Sequence, residues 1–273
     1  MRSSLLRRVL FFLVTGVVLT GCGRKALEMY YPKAHFTKMV LDQADKKVVY
    51  LEWGVPLAYA GKVQTNYEEV KGKSNEIIYV LVVNQSTKER GWVDVSTVVK
   101  NPIAKATLLN NAVVFKTPSE VSREFFTMNA PMIGYVVEVQ DDWARVQWYM
   151  AAYKVFTGKS EWTTYEWIKW NQISTNSKDA DLLSLLYLSY TKFSTWKEKW
   201  PTLMDSNQII AMSNEIEKEL IYLDNLTKAF ADASTVNYAI ELYKSIDYLI
   251  HPVVEESGDY GEGYQGEDTS EDY

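Results

Sequence analysis

The sequence contains few of the residues that usually carry catalysis or bind metals. Cys22 is the only cysteine, and His35 and His251 are the only histidines among 273 residues. A single cysteine cannot form an intrachain disulfide, and two distant histidines without a His-Glu-x-x-His pattern make a poor metal site. The sequence also has no Gly-x-Ser-x-Gly pattern of the kind that presents a nucleophilic serine. We therefore expect no enzyme activity, no cofactor and no metal ion.

The chain also lacks a surplus of basic residues. It has 29 Lys and Arg against 35 Asp and Glu, a formal charge of −6. Eight of the acids lie in residues 253–273, which contain no base, so the acidity is concentrated in the C-terminal tail. Nucleic-acid binding needs cations that displace counterions from phosphates, so we expect no nucleic-acid partner. A tail so acidic and so poor in aliphatic residues is predicted to be disordered.

Long hydrophobic runs are absent, with one short exception near the N-terminus. Residues 9–19 are largely apolar and follow three arginines, Arg2, Arg7 and Arg8. A basic start, a short apolar core and small residues at a cleavage site are typical of a secretory signal peptide, and the run is too short for a membrane-spanning helix. Residues 1–21 are therefore predicted to be a leader that is removed.

The residues that end this leader identify a class of exported protein. The sequence Leu19-Thr20-Gly21-Cys22 resembles the lipobox of bacterial lipoproteins, in which a peptidase cuts before the cysteine and that cysteine receives acyl chains. The resemblance implies lipidation at Cys22 and attachment to the cell envelope, because two or more acyl chains anchor a protein stably. Gly23, rather than Asp, follows the cysteine, which implies the outer membrane in a cell with two membranes. Residues 22–45 are predicted to be a tether and lead-in segment.

Two β-rich units are predicted to follow, at residues 46–100 and 104–175. In the first, residues 77–83 form an apolar run rich in Ile, Val and Tyr, typical of a strand. In the second, residues 143–149 alternate so that Ala144, Val146 and Trp148 share one face. Such alternation is typical of a small sheet with one buried face.

Both units end in the same way, with a strand, a polar hairpin and a second strand that contains tryptophan. Trp143 to Val146 and Gly91 to Val93 resemble the closing hairpin of bacterial SH3-type (SH3b) domains, which commonly reads Trp-x-x-Val followed by Gly-Trp-Val. Glu166 stands where that pattern has glycine in the second unit. The resemblance implies one or two small SH3-like β-barrels.

The pattern becomes helical at residues 178–252. Asp179 can cap a first helix, Asp205 or Ser206 a second, and Ser234 can begin a third. The second helix carries an apolar stripe with residues spaced three or four apart: Ile209, Met212, Ile216, Leu220, Leu223, Leu226 and Phe230. The fold class expected for the chain is therefore α+β, with small β-barrels followed by a C-terminal helical hairpin or three-helix bundle.

The aromatic residues are the best candidates for a ligand-binding site. The chain has 19 Tyr and nine Trp, and aromatic faces bind extended peptides or sugar rings at low entropic cost. We predict ligand-binding residues in the second unit, where aromatic side chains are most crowded: Trp143, Tyr149, Trp162, Tyr165 and Trp167. The alternative is that these side chains fill the core of a small barrel.

Three functions are compatible with these features. The first is a non-enzymatic binding module that holds peptidoglycan peptides or an envelope protein. The second is a structural or assembly lipoprotein that docks on a protein complex through the apolar stripe of its helical region. The third is a host-binding lipoprotein exposed on the cell surface.

Lipidation of Cys22 can be tested directly. We expect Cys22→Ala to abolish metabolic labelling of the protein with an acyl-chain analogue, because the acyl chains are carried by that sulfur. Ser3→Ala, in the predicted leader, is the matched control and should keep the label. Continued labelling of Cys22→Ala would refute the lipoprotein assignment.

Overall fold

A computed structural model describes residues 27–42, 47–70, 73–121, 125–157 and 166–252. The fold is α+β, with curled antiparallel sheets followed by a C-terminal helical region, which confirms the α+β class and the helical C-terminal region expected from the sequence. The predicted leader, Cys22 with its predicted lipidation, and the acidic tail lie outside the described residues. None of the helices in the described part of the chain has the length and apolar composition that a membrane span needs.

The first sheet contains seven strands in the order β3-β2-β6-β5-β4-β1-β7. A 3₁₀ turn at Val95–Thr97 precedes the last strand, and Asp94 caps this turn by accepting a hydrogen bond from the Ser96 amide. The strands are β1 Met29–Pro32, β2 Thr37–Asp42, β3 Lys47–Leu51, β4 Leu57–Val70, β5 Lys73–Asn84, β6 Arg90–Asp94 and β7 Val98–Lys100.

The second sheet also contains seven strands, in the order β10-β9-β13-β12-β11-β8-β14. A 3₁₀ turn at Trp170–Gln172 again precedes the last strand. The strands are β8 Ala104–Leu108, β9 Ala112–Phe115, β10 Phe125–Met128, β11 Met132–Gln140, β12 Trp143–Trp148, β13 Trp167–Lys169 and β14 Ile173–Ser174.

The two sheets have the same strand order. Adding seven to each strand number of the first sheet gives the order of the second, and the 3₁₀ turn occupies the same place in both. The register agrees as well: Leu81 pairs with Trp92 in the first sheet, and Arg145 pairs with Trp167 in the second. The chain therefore contains a structural repeat, and its two tryptophan strands occupy equivalent positions.

Each sheet buries one face of alternating side chains. Met39, Leu57, Val82 and Val93 are fully buried in the core of the first sheet. The equivalent core of the second sheet includes the predicted set Ala144, Val146 and Trp148, and other members are Leu108, Val114, Met132 and Ile168. Both cores consist largely of aliphatic and β-branched residues, which fit a pleated surface.

Two segments differ from the sequence-based expectation. The predicted tether and lead-in segment, residues 22–45, contains strands β1 and β2, in which Tyr30 and Met39 are buried. No helix is predicted within the second β-rich unit, but one, α1, follows Tyr149 at Met150–Thr157. All three elements are too short for periodicity to identify them, so tertiary pairing and packing decide their structure.

Three further helices form the C-terminal region: α2 Ser177–Lys199, α3 Ser206–Ala229 and α4 Val236–Ile250. Asp205 caps α3 by accepting hydrogen bonds from the amides of Asn207 and Gln208. The predicted apolar stripe of α3 is buried at four positions, Ile216, Leu220, Leu223 and Leu226, whereas Ile209 near its N-terminus is 36% exposed. The stripe is therefore buried only from its middle onward.

The chain divides into two compact structural units, which are not the two β-rich units predicted from the sequence. The first contains both sheets and α2 up to Leu188, together with residues 233–235, and the second contains the rest of the helical region. Within the second unit, the carboxylate of Glu219 is buried. It accepts hydrogen bonds from the hydroxyl of Ser189 and the ammonium of Lys192, so the buried charge is paired.

Stacked aromatic rings join the two sheets within the first unit. Trp53, which follows β3, stacks on Tyr135 of β11 with ring centroids 4.8 Å apart. The Tyr135 hydroxyl donates a hydrogen bond to the carbonyl of Pro32 at 3.3 Å, and the ammonium of Lys105 lies 5.4 Å from the Trp53 ring centroid. Burial holds the pKa of Tyr135 well above its ordinary value, so this hydroxyl stays a donor.

His35 lies at the centre of the contact between the sheets and α2. Its ring stacks on Tyr187 with centroids 5.1 Å apart and planes 3° apart, and its amide donates to the Tyr149 hydroxyl. The amide of Trp53 can only donate, so Nδ1 of His35 is the acceptor in their 3.4 Å contact. Nε2 of the neutral ring then carries the hydrogen and donates to the carbonyl of Ser184 at 3.1 Å.

The burial of His35 predicts a pH-dependent stability. Burial lowers the pKa of His35 below its ordinary value, so the unfolded chain takes up a proton more readily than the folded chain. The free energy of unfolding should therefore fall as the pH drops below about 6.5 toward the lower folded pKa. Urea denaturation between pH 5 and pH 7.5 measures this slope.

A variant separates the contribution of His35 from those of other groups. We expect His35→Gln to flatten the slope in this pH range relative to the unchanged protein, because the amide does not titrate. An unchanged slope in His35→Gln would contradict the assignment.

Candidate functional site

A row of paired residues crosses the outer face of the second sheet. Because Ala144 and Ile168 point into the core, their neighbours along β12 and β13 point to the opposite face. The backbone register joins five residues across five adjacent strands, and we call them the outer row: Phe125, Phe115, Trp167, Arg145 and Glu138.

The outer row has charged side chains at one end and aromatic side chains at the other. Arg145 forms an ion pair with Glu138 at 3.2 Å, and both side chains are partly exposed. At the other end, the rings of Phe115 and Phe125 lie 6.4 Å apart, and Phe125 is 58% exposed. The outer row thus combines an aromatic surface with one cation and one anion.

Trp143 lies beside the outer row and is already covered by protein. Phe115 contacts its ring edge-to-face at 5.1 Å, and the ammonium of Lys169 lies 4.2 Å from its ring centroid. Glu120 holds that ammonium in an ion pair at 2.7 Å. A cation over an aromatic face is stabilising, so a ligand would have to displace Lys169 to reach the Trp143 ring.

The predicted ligand-binding residues are not placed together on an open surface. Trp143, Tyr149 and Trp167 are buried, with 7%, 3% and 9% of their surface exposed. Trp162 and Tyr165 lie outside the described residues. The three described candidates therefore contribute mainly to packing, which was the alternative that the sequence analysis left open.

Tyr149 belongs to the contact around His35 and not to the outer row. Its ring lies 5.7 Å from His35 and 5.2 Å from Tyr187. Burial raises the pKa of Tyr149, so its hydroxyl stays protonated while it accepts the hydrogen bond from the His35 amide. This residue holds the first unit together.

Sequence reasoning missed the aromatic end of the outer row, Phe125 and Phe115, and the lysine over Trp143. The signal that could have found them is alternation: Val114 is a core residue, so Phe115 next to it faces outward. The pairing of Phe125 with Phe115 depends on strand register, and sequence alone does not give it.

The aromatic character of the outer row is specific to the second sheet. At the equivalent register of the first sheet, Trp92 pairs with Leu81 on one side and with Val40 on the other, and Val40 pairs with Val48. The repeat therefore keeps the tryptophan in both sheets but places phenylalanines beside it only in the second.

The one buried serine–histidine pair among the described contacts is arranged for structure. Ser184 Oγ lies 3.2 Å from Nε2 of His35, but that nitrogen carries the hydrogen in the neutral ring. It cannot accept the hydroxyl proton, as a general base would have to do. In the described part of the chain, no group of three or more His, Cys, Asp and Glu residues could hold a metal ion.

Comparisons with known proteins give no relative of this chain. No protein-family model, no curated protein and no solved structure matches it.

The difference in burial between Trp143 and Phe125 predicts different effects of their removal. Trp143→Ala should lower the free energy of unfolding by about 3–5 kcal/mol, the usual cost of removing a buried aromatic side chain. Phe125→Ala should lower it by less than about 1 kcal/mol, because most of its surface is already exposed. Urea denaturation of both variants measures the difference, and equal losses would contradict the described burial.

Proposed function

We propose that this chain is a lipid-anchored envelope protein that binds its ligand without catalysis through the outer row of the second sheet. The observation that carries the proposal is the exposed ring of Phe125 beside the half-buried ring of Phe115, in register with Trp167 and Arg145. Exposed aromatic faces next to charged groups are typical of surfaces that bind peptides.

We also propose that the two sheets are SH3-like barrels. The identical strand order, the 3₁₀ turn before each last strand and the equivalent tryptophans Trp92 and Trp167 support this interpretation. They add to the resemblance that Trp143 to Val146 and Gly91 to Val93 carry in the sequence. In this interpretation the domain with the aromatic row binds, and the other domain has a different outer surface.

Peptidoglycan peptides are the ligand class that fits the outer row best. The alternative ligand is an extended peptide segment of an envelope protein. Such peptides carry free carboxylates and amines, which the guanidinium of Arg145 and the carboxylate of Glu138 can bind. The rings of Phe115 and Phe125 supply the apolar contact. Acylation of Cys22 would hold this surface close to the cell wall, from the outer membrane if the cell has two membranes.

The binding proposal is tested by co-sedimentation of the purified protein with intact peptidoglycan sacculi. We expect Phe125→Ala to reduce retention at least several-fold while the protein stays folded, because that ring is the exposed end of the outer row. Tyr50→Ala is the matched control, since Tyr50 is 67% exposed on the edge strand β3, which is equivalent to β10.

The outcomes of this experiment separate the ligands. Equal retention of Phe125→Ala, Tyr50→Ala and the unchanged protein would refute binding through the outer row. No retention of the unchanged protein would exclude peptidoglycan and leave an envelope protein as the ligand.

A second candidate function is assembly with a protein complex through the helical region. The N-terminal part of α3 favours it, because Ile209 is 36% exposed and Ile210 is 59% exposed. Ile210→Asp should then prevent co-purification with an envelope complex, whereas Phe125→Ala should not. The reverse result would support binding through the outer row.

A further inference from the structure

The first sheet carries a hairpin extension that the second sheet lacks. The pair of Gln64 with Tyr79 in the first sheet is equivalent to the pair of Gln140 with Trp143 in the second. In the second sheet the hairpin ends at this pair and the chain turns through Asp141 and Asp142. In the first sheet six further residue pairs follow, from Thr65 with Ile78 to Val70 with Lys73. At about 3.4 Å per residue, the extension is roughly 20 Å long. We call residues 62–70 and 73–78 the arm.

The arm exposes large apolar side chains on one face. Val63, Tyr67 and Ile78 are 57%, 71% and 42% exposed, and strand alternation with cross-strand pairing places them on the same face. At the base of the arm, a bulge between Tyr59 and Val63 contains Gly61 with a φ of 79°. An isolated two-stranded ribbon is marginally stable in water, so an arm of this length requires additional contacts.

The outer edge of β4 is open along the arm. On that side β1 pairs with Leu57 and Ala58, and the amide of Tyr59 donates to the carbonyl of Glu28. Beyond Tyr59, no strand in the described part of the chain pairs with this edge. An open edge presents a row of amide and carbonyl groups that can pair with another strand.

The sequence of this edge is complementary to itself. If two copies of β4 lie antiparallel with Thr65 opposite Thr65, then Lys62 lies opposite Glu68 and Val63 opposite Tyr67. Opposite charges, a β-branched residue with an aromatic residue, and two threonines are all favourable cross-strand pairs. Gln64 and Asn66, both amides, form the remaining pair.

The register is selective. Successive residues of a strand direct their N–H and C=O groups to opposite edges. The two-fold axis that relates two identical antiparallel edges must therefore pass through a residue position, and not between two residues. Centring the pair on Asn66 instead places Val63 opposite Glu69, and centring it on Gln64 places Tyr67 opposite Gly61. Only the centre at Thr65 pairs every side chain from Lys62 to Glu68 favourably.

We propose that the arm binds a second copy of this chain, with β4 pairing antiparallel to β4 of that copy about Thr65. The interaction is isologous, because the same surface of each copy forms it. The acidic tail of the chain is a poorer occupant of this edge, because it has no base to place opposite Glu68. A seven-residue edge is smaller than a standard interface, so the dimer should be reversible and concentration-dependent.

Crosslinking through an introduced cysteine tests the centre of this interface. In the full chain carrying Cys22→Ala, Thr65→Cys should crosslink into a dimer with a short thiol-reactive reagent, because directly opposite Cβ atoms lie about 4.5–5.5 Å apart. Asn75→Cys, exposed on β5 of the same arm, is the matched control and should stay monomeric. Equal crosslinking of both variants, or of neither, would overturn the proposal.

A charge exchange tests the register independently. Glu68→Lys or Lys62→Glu alone should weaken dimerisation about tenfold in sedimentation equilibrium, since two symmetry-related pairs become repulsive. The double variant carrying both changes should restore the dimer. A chain that stays monomeric up to its solubility limit, or a double variant no tighter than the single ones, would overturn the proposal. Phe125→Ala should leave the dimer intact, so this test does not depend on the outer row.

Discussion

Each sheet in this protein is small and must bury one of its two faces, and much of the remaining structure depends on that constraint. Alternation along the strands places residues such as Val82 and Val146 inside, which leaves the opposite face of each sheet without a core of its own. Contacts between rings, Trp53 with Tyr135 and His35 with Tyr187, then join the sheets and the first part of α2 into one compact unit.

The same constraint explains how a repeated fold can serve two purposes. The inner faces are held by packing, whereas the outer faces and the hairpins can change without loss of the core. In the second sheet the outer face has gained Phe115 and Phe125 beside Trp167. In the first sheet the equivalent positions are valines, but the hairpin extends into an arm with an open edge. The proposed ligand surface and the proposed dimer surface thus lie on different copies of the repeat.

Sequence patterns predicted the parts of the fold that depend on local periodicity. The strand expected at residues 77–83 lies within β5, the alternation of residues 143–149 gives the buried set Ala144, Val146 and Trp148, and Asp205 caps α3. The site was predicted less well. The crowding of aromatic residues in the sequence predicts a ligand-binding role for Trp143, Tyr149 and Trp167. Crowding does not distinguish an exposed ring from a buried one, and these three rings are buried. Strands β1 and β2 were missed because short strands are recognised by their partners rather than by their own sequence.

The sequence alone determined the α+β class and the helical C-terminal region, because the periods of strands and helices are local properties of the chain. It also carries the segment predicted to be a leader and the residues that resemble a lipobox, on which the proposed anchoring depends. Only the tertiary structure decided that His35 is buried, that Lys169 covers Trp143 and that Phe125 pairs with Phe115. These contacts join residues distant in sequence through strand register and packing, so no local pattern contains them.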